Sequence, residues 1–345
     1  MSARMVAIIF AFLIQGAMFS VPPLRAATTT PTPPGKLVDL GGHRLHVNCT
    51  GKGPVTVVVE TGLGDFSFDW ILVQTRVEKF TRICTYDRGG YAWSGPGPKP
   101  RTYAQLNLEL HDALNKLGEH YRLILVGHSF GGGVVRNYAA MYPTQVAGMV
   151  LVDIVQEDQR IPMGPNKSGR VRDSAKGIPI PEPRENLLPS DKPNLPAATN
   201  MVGNIEPPYD RLPEKQQRLR RWAEQLPEIN DAEDSQKEWS AEYMERLHAK
   251  PKEASIGAMP LIVLTRTEGY KRDLDVPAAE LEAERLRLQS QLALLSTNGR
   301  QIMVPGGHSM HLEAPEAVAD AIKSVFLSSQ GKRSSSIARV SRRDF

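Results

Sequence analysis

Apolar positions along this chain fall into two rhythms. Short runs at 54–60 (PVTVVVE), 80–87 (FTRICTYD), 121–129 (YRLILVGHS), 146–153 (VAGMVLVD), 259–266 (MPLIVLTR) and 300–305 (RQIMVP) are dense in aliphatic residues. They predict strands, and the β-branched run at 54–60 reads as one buried on both faces. Between them, 102–118 (TYAQLNLELHDALNKLG) sets apolar residues at helical spacing. A second helix is predicted from Gly131 to Tyr142, stopping before Pro143, and a third from around Pro315. Strands alternating with helices predict an α/β fold with a mostly parallel sheet. Upstream, GKLVDLGGHRLHVNCTGKG predicts a hairpin turning at Gly41-Gly42.

That rhythm breaks between Asp153 and Pro260. Residues 160–213 are dense in proline and polar residues, and helical stretches are expected only near 214–226 and 235–249. A structureless loop of this length is uncommon inside a compact domain, so an inserted cap fits better. The organisation is therefore a core of 36–153 and 257–330 interrupted by a cap at 154–256.

Composition changes this picture little, but the termini add to it. A chain of 345 residues with 41% hydrophobic and 23% charged residues is long enough for one large domain, or a core plus an insertion. Its formal net charge of +4 is accounted for by the tail 331–345, which holds five basic residues against Asp344. Such a tail reads as a solvated, disordered extension, which argues against a nucleic-acid partner. At the other end, Arg4 precedes an apolar run, and a Pro/Thr-rich stretch follows. This describes an export signal over 1–27 with a linker at 28–35, and the apolar run is short for a spanning helix. Before Ala26 and Ala27 the −3 positions are Leu24 and Arg25, so the segment is either cleaved or retained as a membrane anchor. Cys49 and Cys84 are the two cysteines, read as buried thiols or, in an oxidising compartment, one disulfide.

Candidate chemistry begins at LVGHSFGGG, residues 125–133. In Gly127-His128-Ser129-Phe130-Gly131 the glycines permit a strained strand-to-helix turn that lifts Ser129 clear of the sheet. There the helix's positive end and the N–H of Phe130 can stabilise an oxyanion. The predicted strand before and helix after make this a nucleophile rather than a plain turn. A serine needs a base, and VPGGHSMHLEAPEAVADAI offers His308 after the last strand. His311 could pair with it on a metal, but no third ligand follows at useful spacing, so a capping or packing role is expected and no metal. Gly62-Leu63-Gly64 after the first central strand makes the N–H of Leu63 the second oxyanion donor, or merely a turn. The acid that orients His308 is Asp153, at the end of GMVLVD, or Glu268, in LTRTEGY, with Asp273, Asp158 and Glu157 further outsiders.

Four stretches, ETGLGDFSFDW, YDRGGYAWS, LVGHSFGGG and GGHSMHLEAPEAVADAI, resemble the α/β-hydrolase superfamily over about 36–155 and 257–328. Their order is that of capped members related to esterases, epoxide hydrolases and haloalkane dehalogenases. The resemblance implies an order of nucleophile, acid and histidine, which Ser129, Asp153 or Glu268, and His308 keep. Most members carry an Asp in the loop where Thr267, Glu268 and Gly269 stand here; one type of dehalogenase takes its acid from a position matching Asp153, the preferred acid. Epoxide hydrolases and dehalogenases resembling this chain have Asp at the elbow, so Ser129 implies acyl chemistry. Glu60-Thr61 replaces the family's usual His-Gly before the oxyanion loop. The resemblance also sets RLHVNCT beside RICTYD, which implies a Cys49–Cys84 disulfide. Asp87 and Arg88 are expected to be structural rather than catalytic.

These readings converge on an exported, capped serine hydrolase acting on a small or medium carboxylic ester through an acyl-enzyme, with no metal or organic cofactor. An acyltransferase using the same residues, and a non-catalytic ligand-binding module, are the alternatives. Substrate identity and oligomeric state stay open.

Overall fold

A computed structural model describes residues 30–119, 121–162, 171–173, 205–249, 255–271 and 273–340. The expected export signal at 1–27, most of the linker and the Pro-rich part of the expected cap lie outside the described residues. Thr32–Phe345 is one compact unit.

The strands are β1 (Lys36–Asp39), β2 (Arg44–Thr50), β3 (Thr56–Glu60), β4 (Arg82–Asp87), β5 (Leu123–His128), β6 (Val146–Val152), the short pair β7 (Arg160–Pro162) and β8 (Val171–Asp173), β9 (Leu261–Arg266) and β10 (Gly299–Val304). Eight form one sheet in the order β1-β2-β4-β3-β5-β6-β9-β10. The hairpin β1–β2 and the β2–β4 pair are antiparallel, and from β4 onward every pairing is parallel.

Why these runs form this sheet follows from their period of two. Val58, Leu125, Leu151 and Val263 point to one face, where they meet Leu110 and Leu114 of α2 (Tyr103–Leu117), Val135 and Tyr138 of α3 (Gly131–Met141) and Leu292 of α6 (Ala278–Ala293). Val57, Val59, Val126, Val150 and Leu264 point to the other, against Val73 of α1 (Ile71–Val77), Met310 of α7 (Met310–Glu313) and Ile322 of α8 (Pro315–Val340). A parallel sheet buried on both faces needs apolar residues at every strand position, which explains the continuous runs. The strands and helices expected from the sequence all form, within a few residues of their expected ends except at the start of the second insertion helix. Thr102 starts α2 by accepting from the Gln105 N–H, and Gly118 ends it in the left-handed region.

Four helices differ from expectation. The helix α5 spans Pro227–Ala249 and begins earlier than the expected 235–249, while α4 (Glu214–Ala223) ends earlier than 226. Helix α6 was not expected at all: its charged residues blur an apolar stripe that needs only Leu281, Leu288 and Leu292. And α8 continues to Val340, so the backbone of 331–340 is helical where the tail was expected to be unstructured. No proline interrupts that stretch, and basic residues toward a helix's carboxyl end complement its dipole. Among the described residues no helix is long and apolar enough to cross a membrane.

Helices α4 and α5 pack onto the loops that follow the central strands. Ala223, Ile229 and Ala232 join Phe66, Tyr91 and Trp93, while Tyr243, Met244 and Leu247 join Tyr103, Phe130 and Val134. These helices stand within the segment expected to form the cap.

Cys49 and Cys84 form a disulfide between directly opposed positions of β2 and β4, a bond that persists in oxidising environments. It closes a loop of sequence separation 35. Constraining a loop of that length in the unfolded chain is worth roughly 4 kcal/mol on the chain-entropy account. The Cys49→Ser/Cys84→Ser variant is therefore expected to melt roughly 5–15 °C lower, by calorimetry, in a protein of this size. An unchanged melting temperature would show that the sheet, not the bond, carries this edge.

Candidate active site

Strand β5 ends at His128, and α3 starts three residues later. Ser129 between them has φ 51°, in the left-handed region that a non-glycine residue enters at a cost. What holds it there is the crowding around its neighbours. A Cβ on Gly127 would come within 2.7 Å of the Gly131 carbonyl oxygen and 2.8 Å of the Gly132 Cα. A Cβ on Gly131 would come within 2.4 and 2.6 Å of the carbonyl oxygens of Glu60 and Thr61. The turn can close against the end of β3 only with glycine at both places. The Ser129 N–H donates to the Val152 carbonyl (3.2 Å), which fixes the turn's start.

Asp153 follows β6 at the same sheet edge and also takes a positive φ, 42°. Its N–H donates to the Leu264 carbonyl of β9 (2.9 Å). Its carboxylate is almost wholly buried and accepts from three side chains: His308 Nδ1 at 2.7 Å, Arg285 at 3.2 Å and Arg266. Burial pushes this carboxyl up, but the bond from His308 and the charges of His308, Arg266 and Arg285 outweigh it and bring it down to about 2. Glu268, the alternative acid, is not brought to His308. Its carboxylate is half-exposed and pairs with Lys271 at 3.1 Å, while its backbone binds Arg266 and Gly306. The physical reason is sheet order: β6 and β9 are parallel neighbours, and Asp153 follows the strand nearer Ser129.

His308 stands on the loop between β10 and α7, held by its own backbone carbonyl, which accepts from His128 Nε2 at 2.9 Å. The Glu313 carboxylate accepts from the N–H groups of Gly307 (2.7 Å) and Ser309 (3.2 Å) on either side. With Ser129 and Asp153 it lines one cavity of about 210 Å³, bounded further by Ile154, Ile161 and Tyr270. Its side chain is 45% exposed, yet loss of solvation is still the main influence on it. Together with the charge of His128, burial lowers its pKa from the ordinary 6.5, against the opposing pull of Asp153. The neutral ring is the form that can accept a proton, so a lowered pKa extends its use toward acid. The acid limb of kcat/KM is expected to have its midpoint below 6.5, measured as a pH–rate profile. A midpoint above 6.5 would mean that the attraction of Asp153 exceeds burial.

The two expected oxyanion donors lie close together in the fold. Phe130 is the N-cap of α3, and its ring shares an apolar cluster with Leu63. Among the described residues, neither backbone N–H is engaged with another group of the protein. Helix α3 adds the positive end of its dipole at the same place.

His311 is fully buried and stacks on Trp70 with ring centroids 4.9 Å apart. Burial brings it down to about 3, so it stays neutral. With Asp65 and His128 it forms a buried group whose donor atoms lie within 4.8 Å of one another. That limit is looser than the roughly 3.3 Å between neighbouring ligand atoms on a tetrahedral zinc with bonds near 2.0–2.1 Å. Asp65 accepts instead from Tyr209 at 2.6 Å and faces His128 Nδ1 at 3.2 Å. The sequence reading passed over Asp65, His128, Arg266 and Arg285. Of these, only Arg266 carried a local signal, at the end of a strand beside Asp153.

A serine at a strand-to-helix elbow, and an Asp–His pair beyond later strands of one parallel sheet, define a hydrolase class of site on an α/β sheet. The chain belongs to the alpha/beta hydrolase family, whose model matches residues 57–321. Among curated proteins it is 25% identical over 324 residues to a Hormonema carpetanum protein named "Probable transporter efuK", covering 86% of this chain and 43% of that one. It is 32% identical over 103 residues to YqjL of Bacillus subtilis, covering 30% of this chain and 41% of that one. The chain thus spans less than half the length of these curated relatives. Among solved structures, an esterase from Thermogutta terrifontis superposes with TM-score 0.54 at 20% identity, covering 85% of this chain and 97% of that one. A meta-cleavage product hydrolase from Pseudomonas fluorescens gives 0.53 at 18%, covering 85% and 98%. The epoxide hydrolase CorEH gives 0.57 at 14%, covering 85% and 98%. At these identities the likeness is one of fold.

Proposed function

We propose that the protein is an exported serine hydrolase that cleaves a small or medium carboxylic ester through an acyl-enzyme. The observation that carries this reading is the 2.7 Å bond between His308 Nδ1 and the buried Asp153 carboxylate, with His308 and Ser129 lining one cavity. That bond puts a proton on Nδ1 and leaves the Nε2 lone pair free to accept from a serine hydroxyl. Ser129 Oγ then attacks the ester carbonyl as His308 takes its proton. The N–H groups of Phe130 and Leu63 hold the oxyanion while Asp153 stabilises the imidazolium. His308 returns the proton to the leaving alcohol, and the same residue activates the water that clears the acyl group. A cavity of about 210 Å³ has room for roughly seven waters' volume, which suits short acyl or alcohol portions. The esterase among the structural neighbours agrees with ester chemistry.

Export is supported by the Cys49–Cys84 disulfide and by the leader-like composition of residues 1–27. The insertion at 154–256 serves as a cap in this reading, its helices α4 and α5 covering the loops that bear the site. The test is hydrolysis of p-nitrophenyl esters of graded acyl length by the full chain. Turnover that peaks at short to medium acyl groups supports the proposal; no turnover of any ester by folded protein rejects it.

A further inference from the structure

Behind the oxyanion loop lies a buried guanidinium that the sequence reading regarded as structural. Arg88 follows β4 and is 2% exposed. Its Nη1 donates to the carbonyl of Thr61 (2.9 Å), the hydroxyl of Thr61 (3.1 Å) and the carboxylate of Glu60 (2.7 Å). Its Nη2 donates to the carbonyl of Gly62 (2.8 Å). Its Nε donates to the side-chain oxygen of Gln236 on α5 (2.9 Å). The ring centroid of Phe130 lies 5.3 Å from the guanidinium carbon, and that of Tyr91 lies 4.7 Å from it. One side chain thus touches two consecutive carbonyls of the oxyanion loop, the residue after the nucleophile and a helix of the insertion.

The peptide between Gly62 and Leu63 is trans; among the described residues the cis bonds are Lys99–Pro100 and Pro207–Pro208. In a trans peptide the carbonyl and the N–H point in opposite directions in one rigid plane. A donor fixed on the Gly62 oxygen therefore fixes the direction of the Leu63 N–H and turns it away from Arg88. The positive charge on that oxygen also polarises the peptide and strengthens its N–H as a donor. Gly62 and Gly64 leave this loop little stiffness of its own, so its orientation depends on what holds its carbonyls.

We propose that Arg88 is the positioning residue of the oxyanion hole, clamping the Gly62–Leu63 peptide from behind, and that Gln236 ties this clamp to helix α5. The proposal rests on the reading of Ser129 as nucleophile and Leu63 as oxyanion donor. Glu60, in the place where the resembling family has histidine, balances the buried charge. Arginine is required because its planar fork reaches two carbonyls and two side chains at once, whereas an ammonium on a flexible stem acts as a point charge.

The experiment compares full-length wild type with Arg88→Lys on p-nitrophenyl butyrate, and measures inhibition by butylboronic acid, which forms a tetrahedral anion on the serine. A second variant, Glu60→Gln/Arg88→Gln, removes both charges so that no buried ion is left unpaired. Loss of one oxyanion donor typically costs about 10²–10³ in kcat, so a misdirected one is expected to cost about 10–100-fold. KM is expected to stay within about threefold, and boronate affinity to fall in parallel with kcat. A merely structural role would lower the melting temperature and leave kcat and boronate affinity per folded molecule unchanged; that result in either variant overturns the proposal. The reading beneath it fails differently, on the wild type itself, as absence of both butyrate turnover and boronate inhibition.

Discussion

Replacing Asp153 by alanine is expected to lower kcat about 10⁴-fold, the scale seen when a triad acid is removed. The carboxylate accepts from His308 Nδ1, and in the proposed mechanism it also offsets the charge that forms on the ring. Without it the ring is free to turn and to carry its proton on the wrong nitrogen. The same change strands Arg266 and Arg285, both of which donate to Asp153. Arg285 keeps Glu282, but stability is still expected to fall by a few kcal/mol, so kcat must be read below the new melting temperature. Asp153→Asn keeps the shape but loses the charge, and its NH₂ must face a donor: either His308 Nδ1–H and Arg266 at the Oδ2 position, or Arg285 and the Arg266 N–H at the Oδ1 position, so kcat is still expected to fall by orders of magnitude. Glu268→Gln is expected to leave kcat within about threefold, because that carboxylate pairs with Lys271 on the surface. Steady-state kinetics on one p-nitrophenyl ester checks all three; a large loss in Glu268→Gln with little in Asp153→Ala would exchange their roles.

Ser129→Ala is expected to have the larger effect, about 10⁶-fold in kcat, since without the hydroxyl no acyl-enzyme forms and only binding and oxyanion stabilisation remain. The fold should tolerate it. Serine already occupies the left-handed region at φ 51°, and alanine adds no atom there. The turn's demands fall on Gly127 and Gly131, which are untouched. An equal melting temperature with turnover at the background rate is the expected pair of observations. Residual activity within tenfold of wild type would mean that another group attacks the ester.

How much of this could be read from the sequence depended on how local the determinant was. The elbow was legible because its requirement is local: two glycines around a serine, between a strand pattern and a helix pattern. The parallel sheet was legible for the same reason, since burial on both faces writes itself as unbroken aliphatic runs. The preference for Asp153 over Glu268 needed the resemblance, because each stands at the end of a strand and only the packing of β6 beside β9 separates them. Arg285 was out of reach: it lies 132 residues from Asp153, on a helix whose apolar stripe is hidden by charge. Arg88 is legible in the sequence and its neighbourhood is not, because its partners Gly62 and, on α5, Gln236 come together only in the folded chain.

The central claim is that an acyl group is carried by Ser129, and one measurement addresses it directly. Wild-type protein mixed with excess p-nitrophenyl butyrate, quenched in acid within the first turnovers and digested, is mapped by peptide mass spectrometry. The account predicts a butyryl adduct on the peptide bearing Ser129, transient in wild type and missing from Ser129→Ala. Steady turnover with an adduct on a different residue, or with none trapped even when deacylation is slowed at low pH, would contradict it.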